Sequence, residues 1–142
     1  MTLSNKTFIP TKDIKNFNSF IIDCKGKKLG RLSTFVTALL KGKLKTEYYP
    51  SISNTDNIIL INTDLILFNS INKQYLVYNP GRPGHSLKIK KNKDCLSTLV
   101  IRQAIKGMLS KKEKKKVMRR LKVFKDENHP YSYNILKEID LI

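Results

Sequence analysis

The feature that most limits what this chain can become is a pair of short, wholly apolar runs with an amphipathic stretch between them. Phe20-Ile-Ile-Asp23 ends at a Lys25-Gly26 turn, and Ile58-Ile-Leu-Ile-Asn62 follows further along. An uninterrupted apolar strand has to be covered on both faces, which is the setting of a buried parallel strand. Between the two, Leu29, Leu32, Val36, Leu39 and Leu40 form one stripe at helical spacing, and Gly42 stands where a helix C-cap belongs. Strand, helix and strand in that order predict an α/β domain.

The remaining segments extend this frame. Leu65–Phe68 is a short third apolar element, Gln74–Tyr78 reads as another strand, and Asn79-Pro-Gly-Arg-Pro-Gly-His85 is a loop of residues that stop regular structure and bare the backbone. Lys88 to Lys93 reads as a basic linker. Asp94 then caps a second helix with Leu96, Leu99, Val100, Ala104 and Ile105 inward and Arg102 and Lys106 outward, breaking at Gly107. Ser110 followed by Glu113 is a capping box, so another helix is expected from about Ser110. On it Val117, Met118 and Leu121 pack while Lys112, Lys116, Arg119 and Arg120 face outward, before Val123-Phe124 leaves as an extended piece. With no internal repeat, the chain is expected to be one domain: residues 1–19 an arm, 20–124 the core, and 125–142 a tail packing back on it.

Charge narrows the function. The 142 residues carry 28 Lys and Arg against 11 Asp and Glu, a formal net charge of +17, far more than solubility asks for. A solvated helix face usually alternates signs to gain pairs, yet residues 111–125 set nine cations against the single acid Glu113. Lys25, Lys27, Lys28 and Arg31 crowd the start of the first helix, where cations oppose the helix dipole. Charges so placed await counter-charges, and the polymer with a dense array of them is nucleic acid.

Other chemistries find little support. Cys24 and Cys95 lie far apart in apolar segments, which suits core residues better than a disulfide framework or zinc ligands. No apolar run nears the ~20 residues needed to span a bilayer, and membrane insertion and secretion are not expected. Gly26 and Gly30 give G-x-x-x-G, short of a dinucleotide fingerprint. The histidines His85 and His129 sit beside Pro or Gly in no catalytic motif. Asp23 and Asp56, both at strand ends, are the one pair of acids that could converge, and such acids are usually caps and turn formers. Neither an enzyme nor a cofactor or metal site is expected.

Taken in order, Ile22-Asp23, Leu29-Gly-Arg-Leu32, Leu40-Lys-Gly-Lys-Leu-Lys45, Tyr49-Pro50, Ile58 to Asn62, Gly81-Arg-Pro-Gly84, Ile105-Lys-Gly-Met-Leu109, Leu121-Lys-Val-Phe124 and His129-Pro130 resemble large-subunit ribosomal protein thirteen of the bacterial and organellar type. The resemblance covers roughly residues 6–134. It departs from the family pattern at Ser110, where Pro is usual, and at the all-lysine Lys114–Lys116. It implies a three-layer α/β/α domain on a small, about four-stranded, mostly parallel sheet with basic loops and extended termini. It also implies a structural part in the large ribosomal subunit, contacts with large-subunit ribosomal RNA and neighbouring ribosomal proteins, a monomer within the ribosome, and support of subunit assembly and translation. The residues expected to meet RNA are Lys25, Lys27, Lys28, Arg31, Lys41, Lys43, Lys45, Arg82, His85, Lys88, Lys106, Lys111, Lys112, Lys115, Lys116, Arg119, Arg120 and Lys122.

Abundant Lys, Ile and Asn with Ala only at Ala38 and Ala104 suggest an AT-rich gene, and so a plastid ribosome, with an AT-rich bacterium or another organelle as alternatives. Two other classes are distinguishable by experiment. A basic DNA/RNA-binding protein outside the ribosome, of the DNA-compacting or regulatory kind, would be excluded by a preference for structured RNA over duplex DNA without sequence preference, and an enzyme on a dinucleotide-like fold would be stabilised by nucleotide.

Overall fold

The apolar runs 20–23 and 58–61 become the two central strands of a parallel sheet. The computed structural model describes residues 18–46, 48–50, 52, 56–68, 81, 84 and 96–131, and the backbone of 74–78, 87–91 and 136–138. In chain order the elements are β1 (Ser19–Asp23), α1 (Leu29–Lys41), β2 (Asn57–Ile61), a 3-10 turn (Thr63–Leu65), β3 (Gln74–Tyr78), β4 (Leu87–Lys91), α2 (Ser97–Met108), α3 (Lys114–Met118), β5 (Leu121–Val123) and β6 (Leu136–Glu138). β1 and β2 run parallel with Ser19 beside Asn57 and Asp23 beside Ile61. β5 adds to β2 and β6 to β1, both parallel, giving the order β5-β2-β1-β6. Parallel neighbours require a crossover connection, and α1 supplies it for the central pair.

Period-two geometry divides the apolar strand residues between two faces. Ile22, Ile58, Leu60 and Leu121 join Leu32, Val36 and Leu40 of α1, Ile101 and Ile105 of α2 and Val117 of α3 in one core. Ile21, Ile59 and Ile61 point the other way and pack with Phe124. Among the described residues, the layer over this second face is Phe124 with its neighbours His129 and Tyr131, whose ring centroids lie 6.2 to 6.3 Å apart. The sheet and its helices form the single α/β domain expected from the apolar runs.

Helix α1 follows the spacing closely. Gly42 takes φ 75°, and its N–H and that of Lys43 bond the carbonyls of Leu39 and Ala38 at 2.8 and 3.0 Å. This is the left-handed ending that glycine adopts without steric cost. Ser33 and Thr37, buried in the helix, donate to the carbonyls of Leu29 and Ser33. Both hydroxyls are thereby satisfied.

Four sequence expectations are corrected. Residues 87–91 are no linker but strand β4, paired antiparallel with β3 from Gln74 opposite Lys91 to Tyr78 opposite Leu87; the alternation Leu87-Lys88-Ile89-Lys90 carried that period, hidden by its charge. Helix α2 continues past Gly107 to Met108. Its packed face is Val100, Ile101 and Ile105, whereas Leu96 and Leu99 are exposed. Asp94, expected to cap it, lies outside the described residues, and Ser97 instead donates to the Asp64 carboxylate of the 3-10 turn. Finally, the helix after Ser110 is only Lys114–Met118, and Leu121 belongs to β5. The Ser110 hydroxyl donates to the Glu113 carboxylate at 2.9 Å, so the two side chains answer each other and not the backbone N–H groups of a capping box.

Cys24 is fully buried after β1, and burial pushes its thiol up to about 12. In the unfolded chain a thiol ionises near ~8.5. Between those pH values the unfolded state has lost a proton that the folded state keeps, so this contribution to stability is intact below about 8.5 and declines as pH rises towards 12. Native protein at pH 8 is expected to leave Cys24 unalkylated by iodoacetamide, as peptide mapping would show. Rapid labelling without unfolding would contradict the buried, neutral thiol.

Candidate nucleic-acid interface

The inward turn of Val100, Ile101 and Ile105 decides where the outer residues of α2 go. Leu99, Gln103 and Lys106 recur at steps of four and three beside Arg102, and so form one exposed strip. Beside this strip, α3 seats Val117 in the core and packs half-buried Met118 against it, while Lys114 and Lys115 turn to the cleft, with Arg119 and Lys122 following as the chain enters β5. The two walls enclose a cleft of about 740 Å³ lined by Leu99, Arg102, Gln103, Lys106, Lys114, Lys115, Met118, Arg119 and Lys122. Six of these nine are cations and none is an acid. Four of these cations come from the run 111–125, and Arg102 and Lys106 of α2 join them from outside it.

Arg119 and Arg120, adjacent in sequence, part company. Arg120 turns to a second pocket of about 190 Å³, where it meets Lys41 and Lys43 from the turn after α1, together with Tyr48 and Glu113. Its Nε and Nη2 are buried with no hydrogen-bond partner among the described residues. Burial lowers its pKa from the ordinary arginine value, against the attraction of Asp56 and Glu113. A buried donor without a partner costs about 1–3 kcal/mol. Arg120→Met, which keeps the aliphatic stem, is therefore expected to leave the free protein as stable or raise its stability by about 1 kcal/mol. Urea denaturation measures this, and a loss beyond about 1 kcal/mol would mean that the guanidinium is satisfied.

The first basic patch lies at another end of α1. Gly26 N–H donates to Leu65 O at 3.1 Å, and Lys27 and Leu67 bond through their backbones at 3.0 Å, so the segment after the 3-10 turn fixes this loop. Lys25, Lys28 and Arg31 are exposed on it and Lys27 is half-buried, its Nζ without a hydrogen-bond partner among the described residues. Lys111, Lys112, Lys115 and Lys116 are exposed around α3. Lys45 is held differently: its Nζ lies 2.7 Å from Asp56, a carboxylate only 2 % exposed that also accepts the Asn18 N–H at 3.0 Å. That contact ties the turn after α1 to the start of β2 and draws Lys45 away from a partner in solvent.

Of the remaining expected residues, Lys88 is placed by its backbone in β4, and Arg82 and His85 lie outside the described residues. Gly81 and Gly84 beside them take φ 88° and 79°, with nothing within 4 Å of where a Cβ would be. Backbone conformation, not crowding, calls for glycine there. Asp23 and Asp56 do not converge. Asp23 accepts the Lys25 N–H and the Asn62 side-chain amide at one end of the sheet, while Asp56 lies beside Asn18 at the other. Five strand residues separate those ends, about 16 Å. Among the described residues no group of three or more His, Cys, Asp and Glu could hold a metal ion, and no helix is long and apolar enough to cross a membrane.

The residues expected to meet RNA leave out Arg102 and Lys114, and with them Leu99, Gln103 and Met118, all of which line the cleft. The step of four from Leu99 to Gln103 on the face of Lys106 was the available signal. It was obscured because a leucine was assigned to the core.

Residues 18–130 match the profile of the family described as Ribosomal protein L13. The large ribosomal subunit protein uL13c of Trieres chinensis is 39% identical over 129 residues, covering 90% of this chain and 91% of its own. The large ribosomal subunit protein uL13 of Mesoplasma florum is 34% identical, covering 92% and 89%, and that of Trichodesmium erythraeum 32%, covering 89% and 87%.

Proposed function

Because the chain belongs to the ribosomal protein L13 family, we propose that it grips large-subunit ribosomal RNA with the cationic cleft between α2 and α3. Its role is that of a structural constituent of the large ribosomal subunit, and the family implies assembly, not catalysis. The observation that carries the RNA reading is the convergence of six cations from three elements on one cleft without an acid. Such a surface repels itself until phosphates arrive. The patch at Lys25, Lys27, Lys28 and Arg31 and the pair Lys41 and Lys43 extend the phosphate-binding surface, with Lys88, Lys111, Lys112 and Lys116 as further contacts. Neighbouring ribosomal proteins are the other partners, and the protein is a monomer there.

A plastid ribosome is the proposed location, supported by the 39% identity to a relative named uL13c and by the Lys-, Ile- and Asn-rich composition. Sedimentation of native ribosomes tests the assignment. The chain should travel with the large subunit, and its absence from that fraction would end this reading. Purified protein should prefer structured ribosomal RNA to duplex DNA at matched salt.

The loop of residues 79–85 is proposed as a further contact. Arg82 supplies a planar fork for phosphate or base, Gly81 and Gly84 at positive φ bare the backbone N–H groups, and Pro80 and Pro83 lower the entropy cost of holding one loop shape. Arg82→Ala should weaken RNA binding with little change in melting temperature. Equal affinity for the cognate fragment at matched salt would reduce the loop to a turn.

A further inference from the structure

We infer that the α2–α3 cleft takes an unpaired nucleotide, with its base on the apolar patch of Leu99 and Met118, and does not merely lie along the backbone of a duplex. The inference rests on the RNA reading above and specifies the form of RNA. Its first support is a leucine where phosphate binding has no use for one. Leu99 is 56% exposed, yet it stands on the cleft wall among cations. Met118 of α3 lines the same cleft, half-buried against the core and with a polarizable sulfur. Two apolar side chains lining one cationic cleft offer a patch to a flat, weakly hydrated ring.

The second support is the amide of Gln103, one turn from Leu99 and lining the same cleft. It carries both donors and an acceptor, and so can meet the edge of a base, whereas lysine and arginine only donate. The third is size. A volume of about 740 Å³ falls in the range of about 300–1,000 Å³ that suits small-molecule occupants. One or two nucleotides fit such a space. Arg102, Lys106 and Arg119 around it then hold the flanking phosphates. RNA is read most often at such unstacked positions, where faces and edges are accessible together.

The test uses the full chain and a mixed-sequence RNA long enough to pair stably, carrying one 2-aminopurine, free or paired with its complement. Free strand should bind more tightly than the duplex at equal salt, and the 2-aminopurine fluorescence should change on binding. Leu99→Ala and Gln103→Ala should each weaken free-strand binding about five- to tenfold and leave duplex binding within about twofold. Lys106→Gln with Arg119→Gln should weaken both forms. Equal affinity for strand and duplex, with Leu99→Ala silent, overturns the nucleotide site while salt-dependent binding keeps the RNA reading. Loss of all salt-dependent binding overturns both.

Discussion

Affinity for large-subunit ribosomal RNA should fall by about 10³–10⁵ between about 50 and 200 mM monovalent salt, the range expected when about 6–10 phosphates are neutralised. The cleft alone presents six cations, and the Lys25–Arg31 loop adds exposed Lys25, Lys28 and Arg31. Each phosphate met releases condensed counterions, so the logarithm of the binding constant should fall linearly with that of salt. Removing one cleft cation, as in Lys106→Gln, should reduce the slope by about one phosphate's share, close to 0.7–0.9. Lys45→Gln should change the slope little, because Lys45 already faces Asp56. Titration by filter binding or anisotropy at several salt concentrations decides the matter. An affinity nearly independent of salt would refute phosphate neutralisation as the main force.

Ile101→Ala should destabilise the domain by about 2–5 kcal/mol, while Leu99→Ala, two residues away, should change stability by no more than about 0.5 kcal/mol. Ile101 is 0% exposed and belongs to the core shared with α1 and the sheet. Removing its methyl groups loses their transfer free energy and leaves a cavity that close-packed neighbours fill only in part. Leu99 leaves no cavity because nothing covers it. Urea unfolding of the two variants separates them, and comparable losses would place Leu99 in the core.

That pair also marks how far the sequence could be read. Periodicity located α1 because Leu29, Leu32, Val36, Leu39 and Leu40 leave only one way to face a sheet, and Gly42 ended it as expected. In α2 the apolar residues Leu96, Leu99, Val100, Ile101, Ala104 and Ile105 are too many for one stripe, and two adjoining phases fit them. Hydrophobicity cannot choose between those phases; packing against α1 did. The parallel strands β1 and β2 were legible as fully apolar runs. Strand β4 was not, because lysine at alternate positions resembles a solvated linker.

For the interface, composition announced a polyanion and the run 111–125 showed where the charge is densest. It could not show that Arg119 and Arg120 face different pockets, since that depends on where a five-residue helix gives way to a strand. Nor could it show that Lys45 reaches Asp56 from a neighbouring loop. Both facts belong to tertiary geometry.

The strand order β5-β2-β1-β6 has a consequence for the chain as it is made. The unit β1-α1-β2 emerges first and occupies the middle of the sheet, with both flanks open to any other extended chain. The outer strands come from residues 121–123 and 136–138, so the two flanks stay open until those residues have left the exit tunnel. Within that interval the lysine-rich segment 111–116 is synthesised ahead of β5. Net positive charge is thus already attached to the nascent chain while its aggregation-prone edges are bare, and mutual repulsion between nascent copies can keep those edges apart.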